Sequence, residues 1–92
     1  MHGNVHGGIL ATVLDASMAA AVNSLLPEHE FTVTTEMKVN YLSPAAGSLL
    51  IAKARVIKRG RSLSLCQADL YDERDKLLCH ATATFFIFEK TG

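Results

Sequence analysis

A single long apolar segment without proline, residues 7–26, constrains the fold of this chain more than any other feature. It is rich in Ala, Leu and Met, which favour helices, and Pro27 follows it directly. The sequence therefore predicts one helix over residues 7–26, with Asn4 as a candidate N-cap. Apolar residues lie on almost every side of this helix, so we expect it to be buried nearly all round.

The rest of the chain consists of four segments rich in β-branched and aromatic residues, separated by turn-forming residues. Strands are predicted at residues 31–42, 49–57, 62–71 and 77–88, with reversals at 44–47, 58–61 and 72–75. Because the connections are short, consecutive strands should pair as an antiparallel meander. We expect a single α+β domain over residues 1–92, in which an antiparallel sheet curls around the helix.

The last predicted strand contains four consecutive apolar residues, Phe85 to Phe88. A strand with one solvated face alternates apolar and polar residues, and this segment does not. Both of its faces should therefore be covered, which indicates a partner subunit.

Composition excludes several classes of function. The formal net charge is +0 and the pI is about 6.9, so no overall field favours nucleic acid or an anionic membrane. Cys66 and Cys79 lack metal-ligand spacing and should be free thiols in a reducing cytoplasm. No basic segment precedes the apolar run, and polar residues interrupt it, so we expect neither a secretory signal nor a membrane span. No metal or cofactor is expected.

Asp15 is the only formally charged residue between Val5 and Glu28. Its neighbours on a helix cannot neutralise a carboxylate; they are Ala11, Thr12, Met18 and Ala19. Asp15 could simply face solvent or act as a cap. The surrounding apolar faces favour a desolvated carboxylate that acts as a general base or a nucleophile.

Two glycines and a histidine lie at the predicted start of the helix. Backbone N–H groups in a first helical turn are unpaired and lie at the positive end of the dipole. The N–H of Gly7 could therefore polarise a carbonyl oxygen, although Gly7 and Gly8 could instead serve close packing. His6 could bind a substrate or support the loop.

The spacing of Gly7 and Asp15 has a consequence for assembly. Eight residues of helix span about 12 Å, which is too far for one carbonyl group to contact both. Antiparallel helices from two subunits could bring Gly7 of one chain to Asp15 of the other. The spacing therefore predicts a two-fold dimer with two composite sites.

A basic turn and a pair of threonines are further candidates. Lys58, Arg59 and Arg61 gather three positive charges around Gly60. They could form a solvated turn with Gly60 at positive φ, or a phosphate site, for which arginine geometry is well suited. Thr34 and Thr35 point to opposite faces of a strand, so at most one faces the helix.

The order and spacing of these features resemble the hotdog-fold acyl-CoA thioesterases, and within them the phenylacetyl-CoA (PaaI-like) branch. The resemblance extends from Gly3 to Glu89. The residues that carry it are His6-Gly7-Gly8, Asp15, the segment Thr34 to Pro44, Gly47 and Lys58-Arg59-Gly60-Arg61.

This resemblance implies a fold, an assembly and a set of roles. In the family, a curved antiparallel sheet wraps one long central helix and two protomers pair into one continuous sheet. Asp15 would act from the neighbouring subunit as base or nucleophile, while Gly7 supplies the oxyanion-hole N–H. Thr34 would place the attacking water, and His6 would support the loop. The basic turn, comprising Lys58, Arg59, Gly60 and Arg61, would meet the CoA phosphates.

Two departures from the family pattern concern the N-terminus. The family usually has an Asn six residues before the motif histidine, and that position falls before Met1, while Asn4 is only two residues before His6. An N-terminal helix and strand that are usual in the family are also absent, so this chain resembles a shortened version.

The leading hypothesis is hydrolysis of acyl-CoA thioesters to free acid and CoA by a homodimer or a dimer of dimers. The missing Asn motivates an alternative, a non-catalytic protein that binds or senses acyl-CoA. A third hypothesis is an enoyl-thioester hydratase or dehydratase of the same fold. Those enzymes usually pair a histidine with a carboxylate on a different motif, which we do not find here.

Overall fold

The computed structural model describes residues 2–43 and 49–90, with helix side chains from Gly8 onward. Helix α1 and four strands make up the fold. Their bounds are α1 His2–Asn23, β1 Glu30–Tyr41, β2 Leu50–Arg59, β3 Leu63–Asp72 and β4 Leu77–Glu89. The expected α+β architecture, one long helix on an antiparallel sheet, is confirmed. The predicted turn at residues 44–47 lies outside the described residues.

The order of the strands corrects the predicted meander. It is β1-β4-β3-β2, so β2, β3 and β4 form a meander while β1 pairs with β4 rather than with β2. The burial of the strands gives the physical reason. Strands β3 and β4 carry the fully buried positions and lie in the centre, whereas β1 and β2 have only partly buried and exposed positions and form the edges.

One face of α1 packs on the sheet. Its buried residues recur every four positions, at Leu10, Leu14, Met18 and Val22. This row contacts a sheet surface composed of Cys66, Ala68, Leu70, Leu78, Cys79, Ala81, Ala83 and Phe85. Deletion of a large side chain in such a core typically costs about 3–5 kcal/mol of unfolding free energy.

The opposite face of α1 is exposed in the single chain, so the prediction of burial nearly all round is wrong for one protomer. The exposed positions from Gly8 onward are Gly8, Ile9, Thr12, Ala16, Ala20 and Asn23. The sheet covers only the side of the helix that it contacts. Small residues predominate on the uncovered side, which leaves room for another backbone to approach closely.

The start of α1 differs from the sequence prediction. The helix begins at His2, so Asn4 lies inside it and is not the N-cap. No proline interrupts residues 2–8, and the backbone continues helical through both glycines. Gly7 therefore lies in the second helical turn rather than in the first.

Two further sequence predictions can be compared with the fold. Both cysteines are free, as expected, and both are buried. Burial raises the pKa of the Cys66 and Cys79 thiols, which makes them poor nucleophiles at neutral pH. Within the described ranges, no helix combines the length and the apolar character needed to cross a bilayer.

The predicted reversal at residues 72–75 is built around a buried carboxylate. Asp72 Oδ1 accepts hydrogen bonds from the backbone N–H groups of Lys76, at 3.0 Å, and Arg74, at 2.9 Å. Asp75 completes the turn at φ 66°, in the left-handed region. The hydrogen bond from Lys76, followed by that from Arg74, holds the pKa of Asp72 below its usual range.

We expect Asp72→Asn to destabilise the protein in a pH-dependent way. The folded-state pKa of Asp72 is below its unfolded value, so the ionised form stabilises the fold above about pH 4. That contribution is lost as the pH falls through the folded pKa. Urea unfolding at pH 7 should give a lower free energy of unfolding for the variant than for the wild type. The difference between the two free energies should decrease below about pH 4. Glu73→Gln, an exposed carboxylate in the same turn, is the control and should show little change at any pH.

Candidate active site

The lone carboxylate of α1 has a partner on β1. The Thr34 hydroxyl donates a hydrogen bond to Asp15 Oδ1 across 2.8 Å in a partly buried position. Asp15 is half-buried in the single chain, where the sheet covers it on one side. The helix neighbours of Asp15 cannot pair with it, and the partner comes instead from a residue 19 positions away.

A β-bulge beside Thr34 orients the two threonines. The register between β1 and β4 shifts between Thr34 and Glu36, which leaves Thr35 as the extra residue. Thr34 lies opposite Phe85 and faces the helix, whereas the Thr35 hydroxyl donates to the Thr84 carbonyl at 3.1 Å. The prediction that at most one of the two threonines faces the helix is confirmed.

This hydrogen bond fixes the rotation of the Asp15 carboxylate and uses one lone pair of one oxygen. An ionised carboxylate offers about four acceptor sites, so Asp15 retains the capacity to accept a proton from a water molecule. Thr12 and Ala16, next to Asp15 on the helix surface, are exposed. The carboxylate therefore lies at the margin between the sheet and the uncovered face of α1.

Gly8 lies two helical turns before Asp15 on the same side of α1. A Cβ atom built at Gly8 would meet nothing within 4 Å among the described residues. Packing within the chain therefore does not require glycine here, and the glycine leaves open space over the helix backbone. The sequence alone predicts only a packing role for Gly8.

His6 and Gly7 belong to the first two turns of α1, and the His6 side chain lies outside the described part of the chain. In a helix that begins at His2, the first four N–H groups without helical partners belong to residues 2–5. The Gly7 N–H becomes available to a ligand only if those preceding residues leave the helix.

The residues of the basic turn make two different sets of contacts. Arg59 points across the concave side, where its Nη2 contacts Glu30 Oε1 at 2.6 Å and its Nη1 donates to the Gly60 carbonyl at 2.9 Å. Glu30 opens β1, so this ion pair links the two edge strands of the curled sheet. Sequence reasoning missed Glu30, because nothing local connects two residues that are 29 positions apart.

Lys58 and Arg61 line a groove of about 480 Å³ beside this turn. Leu63 and Leu65 give the groove an apolar wall, and hydroxyl groups contribute the remaining polar atoms. The other lining residues are Gly60, Ser62, Ser64 and Thr84. A groove with two cations and an apolar wall can accommodate a molecule that has both phosphate and apolar parts.

Gly60 is required by a close approach rather than by its φ angle. Its N–H donates to the Leu63 carbonyl at 2.7 Å, and a Cβ at this position would lie 3.0 Å from the same oxygen. The φ of Gly60 is outside the left-handed region, so the alternative of a turn with Gly60 in that region does not describe this structure.

One cluster in the described part of the chain has the donor atoms for a metal ion. His29, Glu30 and Glu89 place their ligand atoms within 4.8 Å of one another at the start of β1 and the end of β4. Arg59 already occupies the Glu30 carboxylate with a positive charge. The donor set is thus engaged in an ion pair, and it is separate from the Asp15 site.

Residues 2–79 match the family model of the Thioesterase superfamily. The chain belongs to the thioesterase superfamily. This membership and the similarity to solved thioesterase structures assign the hotdog fold to the helix and sheet described above.

Three proteins illustrate which members of the thioesterase superfamily this chain is similar to. It is 27% identical over 96 residues to the medium/long-chain acyl-CoA thioesterase YigI of Escherichia coli K12, covering 90% of this chain and 62% of YigI. The crystal structure of the BH2602 protein from Bacillus halodurans with CoA has 32% identity and a TM-score of 0.88, covering 90% of this chain and 58% of that one.

The third relative is a phenylacetic acid degradation-related protein from Ralstonia eutropha. It has 32% identity and a TM-score of 0.83, covering 87% of this chain and 60% of that protein. It agrees with the resemblance to the phenylacetyl-CoA branch. This chain spans less than two thirds of the length of each of the three proteins.

Proposed function

We propose that this chain hydrolyses acyl-CoA thioesters to the free acid and CoA, with Asp15 as the catalytic carboxylate. The observation that carries the proposal is the hydrogen bond from Thr34 to Asp15 Oδ1 at 2.8 Å. It positions a carboxylate at the edge of an exposed helix face in a chain of the thioesterase superfamily. The name of YigI and the CoA in the Bacillus halodurans structure support acyl-CoA as the substrate class.

The proposed reaction needs one carboxylate and one water molecule. Asp15 takes a proton from the water, and the oxygen of the water attacks the thioester carbonyl carbon. The C–S bond then breaks and the CoA thiolate leaves, taking up a proton. Direct attack by Asp15, followed by hydrolysis of the resulting anhydride, uses the same carboxylate in the same place. In both routes Thr34 holds the carboxylate in a single orientation.

The site is proposed to be composite, with Asp15 and Thr34 from one protomer and Gly7 from its partner. The exposed face of α1 consists largely of small residues, which permit close approach of a second antiparallel helix. The Gly7 N–H would polarise the carbonyl once residues 2–6 leave the helix, with His6 supporting that segment. Gly7 and Gly8 lower the cost of this change, because each glycine weakens a helix by roughly 1 kcal/mol.

The CoA phosphates are proposed to bind at the basic turn. Lys58 and Arg61 line the groove and supply the positive charges. Arg59 has another function in this proposal, because its ion pair with Glu30 fixes the turn against β1. Gly60 allows the tight approach that shapes the turn. The free thiols of Cys66 and Cys79 support a reducing, cytoplasmic location.

The experiment that tests the proposal is measurement of free-thiol release from short, medium, long and aryl-acetyl CoA thioesters. We expect turnover of at least one of these classes of thioester, and values of kcat/KM that rank the classes against one another. Calorimetry with the same thioesters measures their binding and so distinguishes hydrolysis from a non-catalytic binding function. Binding without thiol release would contradict hydrolysis and favour a binding or sensing protein.

We expect Gly8→Ala to stabilise the fold and to impair turnover. Alanine favours the helix by up to about 1 kcal/mol, and its Cβ would meet nothing within 4 Å in the part of the protomer that the structure describes. If the substrate or a second helix occupies the open space, the added methyl group should lower kcat/KM by about tenfold, since small misplacements are costly in catalysis. Thermal unfolding and thiol release are measured together. A more stable variant with unchanged kcat/KM would show that nothing approaches the helix at Gly8.

A further inference from the structure

A second group of chemically active side chains lies where β1 begins and β4 ends. We call it the strand-end triad: His29, Glu30 and Glu89. The ligand atoms of all three residues lie within 4.8 Å of one another. Glu30 and Glu89 are direct partners in the register of the two strands, so their side chains project from the same face of the sheet.

Backbone hydrogen bonds fix the positions of the triad residues. The Lys90 N–H donates to the His29 carbonyl at 2.6 Å, which ties the residue before β1 to the residue after β4. The Glu30 N–H donates to the Pro27 carbonyl at 3.0 Å and closes the turn that precedes β1. The three side chains therefore extend from a paired backbone, and rotation of the side chains alone adjusts the distances between their ligand atoms.

The charges of the triad are not balanced among the described residues. Two carboxylates lie directly opposite each other, and like charges in that arrangement destabilise a pair of strands. Arg59 contacts Glu30 Oε1 at 2.6 Å, and the Glu30 side chain is only 13% exposed. Glu89 has no ion pair within residues 2–43 and 49–90. Two carboxylates and one guanidinium leave one negative charge, which favours a bound cation.

We propose that the strand-end triad binds one divalent transition-metal ion, and that Zn²⁺ is the ion whose chemistry fits it. Imidazole nitrogen and carboxylate oxygen are both ligands of Zn²⁺, at about 2.0–2.2 Å. Three atoms that are 4.8 Å apart lie roughly 2.8 Å from their common centre, so each needs to move by less than about 1 Å. Three protein ligands leave a fourth position for water.

The ion pair with Arg59 is compatible with a metal ion at Glu30. A carboxylate has about four acceptor sites, and the contact with Arg59 Nη2 uses one of them on Oε1. Carboxylates that bind metal ions in proteins are themselves hydrogen-bonded, and these partners orient the ligand. With Zn²⁺ bound, the two carboxylates, the guanidinium and the ion carry one positive charge in total, which is less than in a three-histidine zinc site.

The ion would join two ends of the sheet rather than act on the thioester. Glu30 and Thr34 are four residues apart on β1, which corresponds to about 13 Å along a strand. The groove at Lys58 is lined by other residues than the triad. Because the triad brings together residues that are remote in the sequence, only the folded chain presents all three ligands. Bound Zn²⁺ therefore stabilises the folded state by mass action.

The test is a Zn²⁺ titration of untagged protein that a chelator has freed of metal, by calorimetry and by thermal unfolding. His29→Gln and Glu89→Gln each replace one ligand by a neutral side chain of similar size. Two matched controls change the same residue types elsewhere: Glu28→Gln, at an exposed carboxylate before β1, and His80→Gln, in the middle of the chain's last strand. Circular dichroism confirms that each variant is folded.

We expect the wild type to bind one Zn²⁺ per chain with a Kd below about 100 μM. Saturating Zn²⁺ should raise its thermal unfolding midpoint by at least about 5 °C. His29→Gln and Glu89→Gln should each raise the Kd by at least about 10-fold, whereas both controls should match the wild type. Ca²⁺ and Mg²⁺ should bind at least about 10-fold more weakly than Zn²⁺, since they prefer oxygen ligands.

Three results would overturn the proposal. The first is a wild-type Kd for Zn²⁺ above about 100 μM. The second is equal Zn²⁺ affinity in the wild type and in the folded variants His29→Gln and Glu89→Gln. The third is a loss of Zn²⁺ binding in His80→Gln that neither triad variant shows, because the ion would then lie at the other histidine. These readouts are binding and unfolding, so they do not depend on thioester hydrolysis, which free-thiol release tests separately.

Discussion

Asp15→Asn is expected to lower kcat for thioester hydrolysis by about 10³-fold, because general-base catalysis typically contributes 10²–10⁴-fold. Asparagine keeps the size of the side chain, and its carbonyl oxygen can still accept the hydrogen bond from Thr34. The variant should therefore remain folded, with a thermal unfolding midpoint close to that of the wild type. Measurement of kcat by free-thiol release with a saturating acyl-CoA gives the result.

Thr34 and Thr32 form a matched pair that refines this prediction. Both hydroxyls donate from β1 to a side-chain oxygen on α1, Thr34 to Asp15 at 2.8 Å and Thr32 to Asn23 at 2.9 Å. We expect Thr34→Val to lower kcat by about tenfold or more, because the carboxylate loses its fixed orientation, whereas Thr32→Val leaves kcat unchanged. Nearly full activity in Asp15→Asn, or equal effects of the two valine variants, would contradict the proposed role of the carboxylate.

The second large effect is expected from the double variant Lys58→Ala/Arg61→Ala. Each residue lines the groove and is proposed to bind phosphate, and a hydrogen bond to a charged group contributes about 1.5–3 kcal/mol. Solvent screening reduces that value at a partly open site, so we expect KM for acyl-CoA to rise by about 10²-fold while kcat changes little. Raising the ionic strength should weaken acyl-CoA binding more in the wild type than in the double variant.

Two controls separate phosphate binding from a general disturbance of the turn. An acyl-N-acetylcysteamine thioester has the same reacting group without phosphates, so its kcat/KM should be equal in the wild type and the double variant. Arg59→Ala removes the ion pair with Glu30 and should lower thermal stability and affect both substrates alike. An equal loss of kcat/KM with both thioesters in the double variant would contradict phosphate binding by Lys58 and Arg61.

The elements of the fold could be predicted from the sequence because their determinants are local. Helix formers without proline indicate α1, and alternating β-branched residues indicate the strands. The helix start was misplaced by several residues, since the glycines at positions 7 and 8 do not end a helix that begins at His2. The candidate carboxylate could also be predicted from local sequence, because Asp15 is the only charged residue in the apolar helix segment.

The order of the strands could not be predicted in the same way. β1 lies beside β4, and Phe31 pairs with Phe88, although β2 and β3 lie between these two strands in the sequence. The preference for pairing consecutive strands favoured β2 as the neighbour of β1, but β3 and β4 occupy the centre of the sheet and carry its fully buried positions. Such a choice depends on the total area buried, which no short segment of sequence contains.

The sequence by itself determined which chemical groups this protein has available: one carboxylate in an apolar helix, a hydroxyl on the next strand and a basic turn. Only the tertiary structure decided which of these groups meet. Thr34 reaches Asp15 because β1 lies against the helix. Arg59 of the basic turn forms an ion pair with Glu30 because the sheet curls. Side-chain types are local properties of the chain, whereas distances between remote residues follow from packing of the whole domain.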